Sequence, residues 1–100
     1  MFENNKVLGE DYTLTIINEN NVIGCNVHSY GKEVVVEVPE GVVMISAYAF
    51  DGCGGIKEIK LPSTVKTIGQ NAFANNSDLQ IVRIPQSVET IGKTYLEKLS

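Results

Sequence analysis

Three segments spaced 23 residues apart carry one pattern: Val38-Pro39-Glu40-Gly41-Val42-Val43-Met44-Ile45, Leu61-Pro62-Ser63-Thr64-Val65-Lys66-Thr67-Ile68 and Ile84-Pro85-Gln86-Ser87-Val88-Glu89-Thr90-Ile91. Self-similarity at a fixed period in the twenties marks a solenoid, in which each unit is one coil that cannot bury its apolar face alone. The register runs on through Ile45-Ser46-Ala47-Tyr48-Ala49-Phe50, Ile68-Gly69-Gln70-Asn71-Ala72-Phe73 and Ile91-Gly92-Lys93-Thr94-Tyr95-Leu96. Upstream of the prolines, Ile56, Ile59 and Leu61 match Leu79, Val82 and Ile84. One period earlier Val36 and Val38 occupy the columns of Ile59 and Leu61, while Glu33 falls in the column of Ile56 and Leu79.

The segments around 34–38, 56–61 and 79–84 alternate apolar and polar residues, as strands covered on one face do, and stacking them in register makes one parallel ladder. Pro39, Pro62 and Pro85 fix φ and remove a donor where that ladder ends, so the chain turns a corner there. Val65-Lys66-Thr67-Ile68 and its copies then form a short second strand on the opposite side. A short helical turn follows, carrying Ala72 and Phe73 inward and stacking Phe73 on Phe50.

These columns together resemble the BspA-type, or Treponema-pallidum-type, leucine-rich repeats of bacterial and some protist proteins. The residues that carry the resemblance are Leu61-Pro62, Val65, Ile68-Gly69, Ala72-Phe73, Asn76 and Leu79, with Cys53 at the family's Cys position in the preceding unit; it covers about residues 34–96. The expected fold is a mainly β repeat solenoid of about three repeats, the last incomplete, with a parallel strand ladder and short helical turns. Residues 34–100 are assigned to the repeats and residues 1–33 to an N-terminal segment with a β-hairpin cap, in one structural domain. The hairpin pairs Tyr12-Thr13-Leu14-Thr15-Ile16-Ile17 with Val22-Ile23-Gly24-Cys25-Asn26-Val27 around the polar turn Asn18-Glu19-Asn20-Asn21, and the resemblance implies a β segment at this end too. At the other end Tyr95 stands in the column of Ala49 and Ala72, where a ring cannot enter between coils and instead covers the last one.

Eight basic against 12 acidic residues leave a net charge of −4. Such a field repels phosphate backbones and argues against nucleic acid as a partner. Met1-Phe2-Glu3-Asn4-Asn5-Lys6 lacks the basic flank and apolar core of a secretory signal, and no apolar run reaches spanning length, so membrane insertion is not expected. The expected location is the cytoplasm if the chain is complete, and the cell surface or exterior if it is excised from a longer family member. Cys25 and Cys53 are too few and too far apart for a disulfide scaffold or a paired zinc motif. Cys53 reads as a structural position, and Cys25 keeps the option of a reactive thiol.

Nothing in the sequence assembles a catalytic constellation. His28 lies in the hairpin region beside Ser29 and Tyr30 without a nucleophile elbow. Gly52, Gly54 and Gly55 lack the Gly-Lys-Ser/Thr of a phosphate loop and read as a corner of the coil. Glu37, Glu40, Asp51, Glu58 and Asp78 are dispersed over different turns, so neither a metal site nor a cofactor is implied. Asn75-Asn76-Ser77 fits a glycosylation sequon, a motif short enough to arise by chance.

Solenoids recognise partners through the variable residues that stacking lines up between the apolar columns. The outward strand positions form two stripes, Val35, Glu58 and Ile81, then Glu37, Lys60 and Arg83; the bland alternative pairs Glu37 with Lys60 and leaves Arg83 solvated. A second candidate is apolar: Val43 and Met44 stand where later coils carry Lys66-Thr67 and Glu89-Thr90, and Tyr48 where they carry Asn71 and Thr94. Residues such as Phe2 and Leu8 are candidates to cover that patch from within the chain.

The leading reading is a non-enzymatic protein-interaction module with a protein partner, adhesion-type if part of a longer surface protein, as the resemblance implies. The alternative is a small acidic intracellular regulator or inhibitor, from a mobile element for example. Self-association through an exposed strand edge is a further option. Whatever the partner, the aromatic spine governs stability: Phe50→Ala or Phe73→Ala is expected to cost roughly 3–5 kcal/mol, read as a lowered midpoint in urea unfolding.

Overall fold

The computed structural model describes residues 6–29, 31 and 33–92. Among them nine strands follow one another: β1 (Lys6–Leu8), β2 (Tyr12–Ile17), β3 (Asn21–Val27), β4 (Val34–Glu37), β5 (Met44–Ile45), β6 (Ile56–Lys60), β7 (Thr67–Ile68), β8 (Ile81–Arg83) and β9 (Thr90–Ile91). They form a three-stranded parallel sheet in the order β4-β6-β8 and a six-stranded sheet in the order β1-β2-β3-β5-β7-β9. The chain passes from one sheet to the other in each coil. Tyr95, the rest of 93–100, and Phe2 lie outside the described residues.

The corners repeat as faithfully as the strands. The carbonyls of Pro39, Pro62 and Pro85 accept from Val42, Val65 and Val88 at 3.4, 3.2 and 3.3 Å, closing the same turn at 23-residue intervals. Beyond each corner one carbonyl takes two donors from the next coil: Asn20 O from Val43 and Met44, Val43 O from Lys66 and Thr67, Lys66 O from Glu89 and Thr90. The hydroxyls of Thr64 and Ser87, again 23 residues apart, donate to Val42 O at 2.7 Å and Val65 O at 2.8 Å in the coil beneath.

The first carbonyl in that series belongs to the hairpin. Asn21 and Val22 of β3 pair in parallel with Met44 and Ile45, so Val22, Ile45, Ile68 and Ile91 form one rung-by-rung column at the repeat spacing. One strand therefore does two jobs: β3 turns back antiparallel on β2, with β1 outside it, and also starts the parallel stack.

Two local expectations are corrected. No helix occurs among the described residues, and the segments after β5 and β7 are hydrogen-bonded turns rather than helical turns. Their amides reach across coils, from Tyr48, Phe50 and Gly52 to the carbonyls of Gln70, Ala72 and Ala74 at 2.8–3.1 Å, which a helix would keep within its own segment. In addition, Glu33 does not replace Ile56 in the core column. Val34, 1% exposed, pairs with Ile56, and a register shift after it leaves Lys57 as an extra residue in β6 before Val35 meets Glu58.

Leu14, Ile16, Val22, Val36, Val42, Ile45, Ile56, Ile59, Val65 and Ile68 are fully buried between the two sheets. Phe50 and Phe73 fill the third side, their ring centroids 5.5 Å apart and tilted by 40°. That geometry is favourable for aromatic pairs. Asn76, 1% exposed, is held by its amide nitrogen donating to the carbonyls of Phe50, Phe73 and Ala74 at 2.7–3.0 Å.

Close stacking has a steric limit at one column. A Cβ on Gly69 would lie 2.4 Å from the backbone nitrogen of Ala47, and one on Gly92 2.4 Å from that of Gln70. Gly69→Ala must push two coils apart and is expected to cost about 2 kcal/mol or more. Gly54→Ala, with nothing within 4 Å and no positive φ, should stay within about 0.5 kcal/mol of the parent in the same urea titration. The turns also hold Tyr48 at φ 62° and Asn71, its equivalent, at φ 55°. Asparagine tolerates this left-handed region and tyrosine does not, so Tyr48→Asn is expected to raise stability by about 1 kcal/mol.

Candidate binding surface

The outward face of the β4-β6-β8 sheet is positioned by the alternation of its strands. With Val34, Val36, Ile56 and Ile59 buried, the register sets Val35 beside Glu58 beside Ile81, and Glu37 beside Lys60 beside Arg83. Both stripes inferred from the repeat are therefore assembled. Val35 is 38% and Ile81 36% exposed, whereas Glu58 between them is half-buried.

The charges pair differently from the sequence expectation. The Arg83 guanidinium, still largely exposed, donates through Nε to Glu58 Oε2 and links the two stripes diagonally instead of standing without a partner. Lys57 Nζ reaches Glu33 at 3.1 Å near the bulge. Glu37 and Lys60 are neighbours in register, and a shallow depression of about 420 Å³ runs from them along Val38, Pro39, Leu61 and Pro62 to the corner. Glu37's backbone is engaged from the other side: its N–H donates to the Tyr12 hydroxyl at 3.0 Å and its carbonyl accepts from that hydroxyl at 3.3 Å.

The second candidate patch lies on the other sheet and its adjoining turn. Val43, Met44 and Tyr48 are exposed, and Asn71 Nδ2 donates to the Tyr48 hydroxyl at 3.0 Å. β1, which contains Leu8, pairs with β2 and is separated from β5 by two strands, so it does not lie beside this patch. Ile23, exposed on β3 one residue past Val22, extends it and went unrecognised in the sequence. The signal was available: Val22 precedes Ile45 by one period, which places Ile23 in the column of Ser46.

The hairpin's polar residues close the fold's base. His28 Nε2 is 2.6 Å from Thr13 Oγ1, and the Ser29 hydroxyl donates to Asp11 at 2.5 Å. Serine thus meets the carboxylate directly, which is not the order of a serine–histidine–acid relay. Among the described residues no group of three or more His, Cys, Asp or Glu side chains is arranged to hold a metal ion, and no helix is long and apolar enough to cross a membrane.

Beyond the DGCGG corner an open groove of about 810 Å³ runs between hairpin and coils, with Cys25 and Cys53 in its wall. Cys53 Sγ donates to Cys25 O at 2.8 Å. The hydrogen bond between the two thiols, together with burial, holds Cys25 far above the usual thiol range. The same bond lowers Cys53, against burial and the nearby Asp51 charge.

Comparison with known proteins agrees with this architecture. A family model described as a BspA type leucine rich repeat region matches residues 21–100 in six copies, beginning at the strand that starts the stack. Among solved structures, a leucine-rich repeat protein from Bacteroides ovatus is 35% identical with a TM-score of 0.71, over 93% of this chain and 27% of its own. The T. pallidum leucine-rich repeat protein is 30% identical with a TM-score of 0.63, over 76% of this chain and 38% of its own. A leucine-rich repeat protein from Bacteroides capillosus, 20% identical, shares the fold at a TM-score of 0.57 over 91% of this chain and 90% of its own. No match was found among curated proteins. The chain spans about a quarter to two fifths of the first two solved relatives. With its repeats, its corners and its stacked columns all of one kind, the chain belongs to the BspA-type leucine-rich repeat family.

Proposed function

We propose that this chain is a non-enzymatic protein-interaction module that binds a protein partner through the outward face of β4-β6-β8. One observation carries the reading: two apolar side chains, Val35 and Ile81, stand exposed on either side of Glu58, which is ion-paired to Arg83, with Glu37 and Lys60 alongside. Apolar contact area beside oriented charge is the composition of a recognition surface, and the shared register holds it flat. The leucine-rich repeat fold is generally a protein-binding scaffold, which supports the class of partner.

The face suits adhesion if the chain is part of a longer surface protein, as its short span relative to the Bacteroides ovatus and T. pallidum relatives allows. A net charge of −4 favours the second reading, a small regulator that occupies a basic surface on another protein. Both readings use the same face. The apolar patch of Val43, Met44 and Tyr48 serves as a second contact.

The test replaces Glu58, Lys60, Ile81 and Arg83 together with alanine, which removes both members of the Glu58–Arg83 ion pair at once. Parent, face variant and a Val43→Ser, Met44→Ser, Tyr48→Ser variant are used as baits against lysate and medium of the source organism, and captured proteins are titrated by interferometry. The face variant, shown folded by circular dichroism, should bind at least roughly tenfold more weakly than the parent. Equal affinity of the face variant rejects the β4-β6-β8 face, and loss confined to the patch variant transfers the site to Val43, Met44 and Tyr48.

A further inference from the structure

The chain has two cysteines, 28 positions apart, and the fold brings them into the wall of one groove. Cys25 lies opposite buried Leu14 in the β2–β3 pair, so its side chain leaves the sheet on the core side, toward the coils. Cys53 comes to it from the corner after β5, close enough for Sγ to reach Cys25's own carbonyl at 2.8 Å. Both thiols are reduced and only half-buried. The groove is open, which gives a small reagent access to the pair.

Cys53 stands at a column whose side chains hydrogen-bond the turn, and in this coil a second thiol lies beside it. Its counterpart one coil later is Asn76, whose amide nitrogen serves three carbonyls. A thiol has one weak donor and serves one. Cysteine stands at this column in the one coil that faces a second thiol.

We propose that Cys25 and Cys53 are a reversible dithiol–disulfide site that staples the N-terminal hairpin to the first coil, with a small-molecule disulfide such as oxidised glutathione as oxidant. Cys53 gives its proton to solvent and attacks one sulfur of the reagent, whose S–S bond breaks and releases one thiol. Cys25 then loses its proton and attacks Cys53 Sγ, displacing the second thiol. Two electrons pass from protein to reagent, one S–S bond is lost and one gained. The lowered pKa of Cys53, which favours its thiolate, suits it as the attacking sulfur, while Cys25 keeps its proton for the second step. This site is independent of the β4-β6-β8 face.

The experiment incubates the folded protein with oxidised glutathione and follows intact mass, thiol alkylation and thermal unfolding. The expected product is a monomer lighter by about 2 Da, closed to alkylation at both cysteines and restored by a dithiol reductant. Because the bond closes a loop of nearly thirty residues, its melting temperature should exceed that of the reduced protein by about 10 °C. Cys25→Ser should stop at a mixed disulfide on Cys53 and show no such rise. A parent protein that remains reduced, accumulates mixed disulfides on both cysteines, or links into dimers overturns the proposal, as does an internal disulfide that forms only after the chain is unfolded in urea.

Discussion

Backbone contact between successive coils is the constraint from which the other features follow. At the column of Gly69 and Gly92 the coils approach so closely that a methyl group has no room. That proximity lets the amides of Tyr48, Phe50 and Gly52 bond directly to the next coil, and lets Thr64 and Ser87 reach the carbonyls beneath them. It also commits every coil to one path length, since a slip of one residue would turn buried Ile59 outward and Glu58 into the core. The outward stripes are a by-product of this locking. A surface residue such as Ile81 has its neighbours chosen by the stack, not by its own contacts.

The interior shows how such a stack handles polar groups. Asn76 is the buried polar residue of the core among the described residues and offers its amide hydrogens to carbonyls of two coils, leaving Oδ1 without a partner. The turn thereby keeps its carbonyls satisfied in a place water does not reach, where leaving them bare would cost more than the idle oxygen. Strain is held in the same turns. Tyr48 adopts the left-handed conformation its Asn71 counterpart takes readily, and so presents its ring at the surface rather than against the core.

The repeat itself was legible because apolar side chains recurring at one spacing bury each other only when successive coils stack in register. The columns of Ile45, Ile68, Phe50 and Phe73, and the proline corners, are all where the period puts them. Legibility failed where geometry breaks the count. Val34 replaces Glu33 in the core through an extra residue at Lys57, a bulge that leaves no mark on composition. Val22 carries the period but lies in a segment whose alternation reads as an ordinary hairpin, which hid the double role of β3 and with it Ile23. The Glu58–Arg83 pairing was missed because flexible side chains choose partners diagonally as well as across. The helical turns failed because short apolar runs such as Ala72-Phe73 do not distinguish a helix from a turn whose amides bond sideways.

The tyrosine hydroxyl lying on β4 bears on the manner of recognition. Residues Val34 and Val38 direct their amides to the neighbouring coil at Gly55 and Lys60, so Glu37 between them points its peptide groups toward the hairpin side, and there Tyr12 takes both. An incoming peptide strand seeking to lengthen the three-stranded sheet at this border would find the docking groups of Glu37 occupied and would have to evict the ring. The phenol acts as a stopper against strand addition. A partner drawn to this side of the molecule would be left its broad surface, where side chains instead of main chain are on offer, and selectivity there would rest on sequence rather than on backbone pairing that any extended peptide could satisfy.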